Sequence, residues 1–213
     1  MKLLAISDMH GNLQNVIRVL NESPCDLLLS CGDWGDPEEL DLSVMERIIS
    51  LKPVLSVYGN HDDLELLSRL ENTDETPALL RNGEIHEIQG LRFAGINGIW
   101  AKSHRKPHYI TDEEVDEISR GLAGRSVDVL LTHGCPVGLA DIIPGGRHGG
   151  QRCFLEAFHT ISPRLHLCGH LHVAQMRALK DDRLVVNVGY TCEGDYWTFD
   201  LDDPTLAPEH HRL

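Results

Sequence analysis

Short apolar runs alternate with amphipathic stretches through the first third of the chain. "KLLAIS" reads as a buried strand, and "GNLQNVIRVLNES" follows it with Leu13, Val16, Ile17 and Leu20 at helical spacing. "CDLLLSC" is a second strand, and "DPEELDLSVMERIISL" an acid-capped helix with Leu42, Met45, Ile48 and Ile49 on one side. "PVLSVYG" and "DDLELLSRLEN" repeat the strand and helix once more. Strands alternating with helices imply right-handed crossovers, hence a parallel sheet covered on both faces.

The pattern then changes. "GEIHEIQGLRFAGING" alternates apolar and polar residues around Gly90, as an antiparallel hairpin does. "SHRKPHYITDEEVDEISRGLAG" supplies a basic loop, then a helix capped at Thr111 with Glu114 completing a capping box. "VDVLLTHG" is a buried strand, "CPVGLADIIPGGRHGG" a loop, "QRCFLEAFHTI" a helix and "RLHLCG" a strand. "HVAQMRALKDDRLVVNVGYTCEGDYWTFDL" reads as three strands with an Asp-Asp turn. No repeat or linker interrupts the series. The expectation is one α/β domain over residues 1–200, followed by a loose polar tail at 201–213.

The residues that follow each strand carry the chemistry. Asp8 and His10 come after the first strand, Asp33 after the second, and Asn60 and His61 after the third. His133 follows "VDVLLT", and His170 and His172 follow "RLHLC". Carboxyl ends of parallel strands share one edge, where ligands bind. The two last histidines, at i and i+2 of an extended chain, point the same way. Each piece has an ordinary alternative: a helix cap at Asp8, a turn at Asp33, a plain loop at "GNHD". Caps and turns do not require five strands to end in metal-ligand residue types. Asp, Asn and neutral His form a mixed oxygen and nitrogen shell, which suits Mn²⁺, with Fe or Zn²⁺ as alternatives, over Ca²⁺ or Mg²⁺. The set is too large for one tetrahedral ion. Two ions about 3.5–4 Å apart, bridged by a carboxylate, use it economically.

Composition narrows the partners. With 33 acids against 19 bases the formal net charge is −14, which disfavours non-specific nucleic-acid binding and anionic membranes. The six cysteines form no CxxC pair and read as reduced, buried thiols, so a cytoplasmic location is expected. The first apolar run is too short for a signal peptide, and no stretch approaches membrane-spanning length. A homo-oligomer stays open.

The series Asp8-x-His10, Gly32-Asp33, Gly59-Asn60-His61-Asp62, His133 and Gly169-His170-x-His172 resembles the calcineurin-like metallophosphoesterases, with every motif in order. The resemblance implies a two-sheet α/β/β/α sandwich with outer helices and two divalent metal ions at the strand ends. It implies that Asp8, His10, Asp33 and His172 hold the first ion, and that Asp33, Asn60, His133 and His170 hold the second. Asp33 would bridge the ions, and His61 would face the substrate as the catalytic histidine. A metal-bridging hydroxide would attack phosphorus in line. Two divalent ions leave the crevice with a residual charge of about +1, so metals and not Lys or Arg attract the phosphate.

No Arg follows Asp33, and "GNHDD" stands where protein Ser/Thr phosphatases read Gly-Asn-His-Glu. The pattern is closer to small bacterial and archaeal phosphodiesterases, which favours a small nucleotide-like phosphodiester over a phosphomonoester. "NVGY" at Asn187 to Tyr190 departs from their Asn-Pro-Gly-Ser. Arg147 and His148, in the glycine-rich loop, are candidate phosphate contacts, and the basic cluster from Ala101 to Tyr109 is a candidate rim. Trp34 and Trp100 read as packed aromatics rather than base-stacking platforms. The alternatives are a non-catalytic scaffold of the same fold, a hydrolase of other esters with the same metals, and cysteine chemistry, for which no base spacing exists.

Overall fold

The computed structural model describes all of residues 1–213. Its first half runs β1 (Lys2–Ile6), α1 (Leu13–Glu22), β2 (Leu27–Ser30), α2 (Leu42–Leu51), β3 (Val54–Ser56) and α3 (Leu64–Leu67). The hairpin strands β4 (Ile85–Ile88) and β5 (Leu91–Ile96) follow, then β6 (Ile99–Trp100), β7 (Tyr109–Ile110), α4 (Asp112–Leu122) and β8 (Val129–Thr132). A small hairpin of β9 (Ile142–Ile143) and β10 (Arg147–His148) leads into α5 (Arg152–Ile161) and β11 (Leu165–Cys168). The chain closes with β12 (Gln175–Ala178), β13 (Leu184–Asn187), β14 (Asp195–Asp200) and β15 (Glu209–Arg212).

Two sheets form the centre. One has the order β15-β14-β1-β2-β3, the other β12-β13-β11-β8-β5-β4. Each has a parallel run: β1, β2 and β3 in the first, and β13, β11, β8 and β5 in the second. Antiparallel strands finish both edges of the second sheet and one edge of the first, whose other edge is β3. The alternation along each strand decides the layers. Leu3, Ala5, Leu29, Phe93, Leu131 and Leu167 face one another between the sheets. Their neighbours Leu4, Ile6 and Leu28 pack outward against α1 and α2, and Ala94 and Leu130 against α4 and α5. Full burial of each Leu contributes about 1.5–3 kcal/mol, and only the observed register buries both faces. The result is the α/β/β/α sandwich.

Four local readings change. The helix read from "DDLELLSRLEN" is a single turn, because Asn72 draws the chain back along β3: its side chain accepts from the Val54 N–H at 2.8 Å and donates to the Val54 carbonyl at 3.0 Å. Helix α2 starts only at Leu42, capped by Asp41, and Leu42 is exposed instead of lying with Met45, Ile48 and Ile49. The tail expected to be loose is paired. Strand β15 lies antiparallel to β14, with His211 stacked on Tyr196 and His210 Nε2 3.1 Å from Asp195. Its polar residues dock on β14's polar outer groups, which hydrophobic patterning does not register. His170 and His172 lie beyond the end of β11 with φ of 68° and 55°, so strand alternation is not what aims them. All six cysteines are free, Cys31 and Cys168 are buried, and no helix is long and apolar enough to cross a membrane.

Candidate metal centre

The carboxyl ends of β1, β2, β3, β8 and β11 meet at one edge of the sandwich. Asp8, His10 and His172 bring a ligand atom each within 4.8 Å of one another, and so do Asp33, His133 and His170. In the first group His10 Nε2 and His172 Nε2 are 3.4 Å apart, and His172 Nε2 is 3.2 Å from Asp8 Oδ1. In the second, His133 Nε2 is 3.3 Å from Asp33 Oδ2 and 3.2 Å from Asn60 Oδ1. Asp33 Oδ2 also lies 3.9 Å from His10 Nε2. One carboxylate oxygen therefore stands between the two groups.

The backbone is bent to achieve this. Asp8, His10, Asp33, His170 and His172 all have φ between 44° and 68°, a left-handed conformation in which Asp and His are tolerated better than most residues. Strained backbone concentrated on five converging side chains is a functional signature. Two glycines leave the room. A Cβ at Gly59 would stand 2.2 Å from Asp33 Oδ1 and 2.6 Å from His133 Nε2, and one at Gly169 would stand 1.9 Å from Ser7 Oγ.

A supporting layer fixes the donors. The His133 ring places Nδ1 2.8 Å from the Cys31 carbonyl, to which it donates, so Nε2 is the ring atom turned to Asp33. Asp8 Oδ2 accepts from Ser7 Oγ at 2.5 Å and from the His170 N–H at 2.9 Å. Asp8 Oδ1 is buried with no well-aligned hydrogen-bond donor, its polar neighbour being His172 Nε2 at 3.2 Å. A buried carboxylate oxygen without an aligned donor costs energy unless a cation meets it. With four imidazoles, a shared carboxylate and an amide oxygen in the same cluster, the donor set fits divalent ions.

Electrostatics point the same way. Burial alone would push the Asp33 carboxyl up, yet His133, the His61 N–H and His10 hold it well below the usual carboxylate range. Burial would pull His133 down, and the Asp33 carboxylate outweighs it, leaving the imidazole at about 9. The carboxylates thus draw in positive charge. His170 is pushed down to about 4 by burial and by His133, which keeps it neutral with a free lone pair.

His61 belongs to neither group. Its N–H donates to Asp33 Oδ1 at 2.8 Å, and its ring stands edge-on to His10 at 5.2 Å. The half-exposed side chain has Nδ1 3.1 Å from Asp36 Oδ2. Arg147 and His148 are exposed on β10; His148 Nδ1 lies 2.8 Å from the buried Asp141, and the Arg147 side chain makes no hydrogen bond or ion pair. Trp34 is buried and donates to Ser56, whereas Trp100 donates to Asp112.

Residues 1–200 match the family model of the calcineurin-like phosphoesterase superfamily domain. The chain belongs to that family. Among solved structures, the protein TT1561 of Thermus thermophilus has a TM-score of 0.76 at 17% identity, covering 99% of this chain and 98% of its own. A dimetal phosphatase from Danio rerio has a TM-score of 0.57 at 11% identity, covering 94% of this chain and 92% of its own. Zn²⁺-complexed Vps29 from Entamoeba histolytica has a TM-score of 0.52 at 13% identity, covering 100% and 99%. At such identities the likeness is one of fold. No curated protein matches the sequence.

Three residues of this calcineurin-like phosphoesterase were given no role by its sequence. The buried Asp62 carboxylate accepts from the backbone N–H of Asp33 at 2.8 Å, Trp34 at 2.7 Å and Gly59 at 2.7 Å, tying two ligand loops together. Burial, then the nearby Asp33, pushes it up to about 7. Asp36 orients His61, and Tyr190 lies on His172. Asp62 stood inside a quoted motif, and the Tyr190 departure from Asn-Pro-Gly-Ser was the available signal. Nothing in the sequence singled out Asp36.

Proposed function

We propose that the chain is a binuclear metal-dependent phosphodiesterase acting on small, nucleotide-like esters. The observation that carries the reading is Asp33 Oδ2, which faces His10 Nε2 at 3.9 Å on one side and His133 Nε2 at 3.3 Å on the other. Asp8, His10 and His172 would hold one ion and Asn60, His133 and His170 the second, with Asp33 shared. Mn²⁺ is the favoured occupant on the donor chemistry, with Fe or Zn²⁺ as the alternatives. Such ions supply Lewis acidity, activating water and neutralising phosphate oxygens.

The chain's own side chains do the rest. His61 reaches the phosphate from the exposed side of the cluster. Asp36 at Nδ1 sets the ring so that Nε2 can deliver a proton to the leaving oxygen, a step worth about 10²–10⁴-fold. Asp62 keeps the Asp33 and His61 loops in register through their backbone. The preference for diesters rests on the likeness of "SDMHGN" and "GNHDD" to small phosphodiesterases.

Hydrolysis of bis-p-nitrophenyl phosphate and of p-nitrophenyl phosphate, with Mn²⁺ and with chelator, tests the reading. The expected result is chelator-sensitive turnover with the higher kcat/KM on the diester. A higher value on the monoester would make the chain a phosphomonoesterase. Bound Mn²⁺ without turnover would make it a non-catalytic scaffold.

A further inference from the structure

The chain's basic loop is fastened beside His61. Residues 101–108 leave β6 and return on β7, and the two strands pair in parallel, Ile99 with Tyr109 and Trp100 with Ile110. Backbone bonds from Ile99 N–H to His108 O at 2.8 Å and from Ala101 N–H to Ile110 O at 2.9 Å close the base of the loop. His108 then reaches across to the catalytic segment. Its Nε2 lies 2.8 Å from the carbonyl of Asp62, the residue after His61, and its ring packs edge-on against Tyr58.

The cations on this loop are not spent on internal pairs. His104 is held by Glu114 at 2.8 Å, but Lys102, Arg105 and Lys106 are exposed and form no ion pair. Lys106 only overlies the Tyr109 ring, 5.7 Å away. In a chain of net charge −14, three unpaired cations within five residues make a local attractor for anions.

We infer that Lys102, Arg105 and Lys106 form a second anion subsite on the His61 side of the metal centre, one that binds a phosphate other than the one cleaved. The inference rests on the phosphodiesterase reading and narrows it to substrates carrying an additional phosphate, such as a dinucleotide with a 5′-phosphate. The metal centre takes the scissile group, and the loop takes the extra charge.

The test compares two ratios in the Mn²⁺-loaded full chain at low ionic strength. One is kcat/KM for pApA over ApA; the other is the affinity for adenosine 3′,5′-bisphosphate over adenosine monophosphate, read by titration calorimetry. Wild type should show both ratios at about tenfold, declining with added salt. The triple variant Lys102→Gln, Arg105→Gln, Lys106→Gln should bring both close to one. A control triple, Arg47→Gln, Arg177→Gln, Lys180→Gln, removes equal charge from exposed sites on α2 and at β12 and should keep them. Ratios near one in wild type, or unchanged in the loop variant, overturn the subsite even when hydrolysis is intact. An affinity ratio that responds as described, with no hydrolysis of any ester, upholds the subsite and overturns the phosphodiesterase reading instead.

Discussion

The Tyr190 ring lies flat on the imidazole of His172, with centroids 4.2 Å apart and planes 8° from parallel. It also stands edge-on to His10 at 5.8 Å. Tyr190 therefore braces both imidazoles of one ligand group from outside, where His172 is otherwise partly exposed. Tyr190→Ala should weaken Mn²⁺ binding at one of two sites by about 10-fold or more, the usual scale for a residue that orients a ligand. Tyr190→Phe should retain affinity, because the ring and not the hydroxyl makes the contact. Calorimetric Mn²⁺ titration separates the variants.

Asp33→Ala should lower bound metal below one ion per chain, measured by elemental analysis, because the shared oxygen goes. In wild type, free Mn²⁺ at about 100 times its Kd should raise folding stability by about 2.7 kcal/mol per site. That gain should be absent in Asp33→Ala, as followed by denaturant unfolding.

His61→Asn should keep both ions and lower turnover by about 10²–10⁴-fold, most severely with poor leaving groups. Asp36→Asn should leave metal content unchanged and lower kcat by less than His61→Asn, because only the contact that sets the ring is weakened. Steady-state kinetics on esters of graded leaving-group pKa checks both.

Acid stability should depend on His166. The ring is buried on the outer face of β11, stacked on Phe158, with Nε2 2.8 Å from Thr132 Oγ1. Thr132 donates its proton to the Gly134 carbonyl, so His166 donates from Nε2 and leaves Nδ1 bare. Burial pushes this imidazole down to about 3. The unfolded chain takes up a proton below about pH 6.5 and the folded chain does not, so stability is full above that pH and falls as pH drops towards 3. Between pH 7.5 and 5.0 the loss from this residue is about 2 kcal/mol. Urea unfolding of wild type and His166→Leu at both pH values should show the difference.

Much of this was legible in the chain. Strand-terminal Asp, Asn and His can be read because parallel strands deliver their ends to one edge, and buried-strand alternation assigns Leu3 and Leu4 to opposite layers. What escaped was set by polar side chains reaching across the fold. Asn72 stops a helix from β3, and His211 and Tyr196 hold a polar tail as a strand. Asp62 and Asp36 act through bonds to segments 25–29 residues away, which no local pattern announces.

The left-handed backbone at Asp8, His10, Asp33, His170 and His172 has an evolutionary corollary. Glycine fits that conformation more easily than the residues now there, so exchange to it relieves torsional cost while removing a candidate ligand. A chain of this fold can therefore lose candidate ligands one substitution at a time with its backbone relaxed at each step. The architecture is thus free to outlive its chemistry.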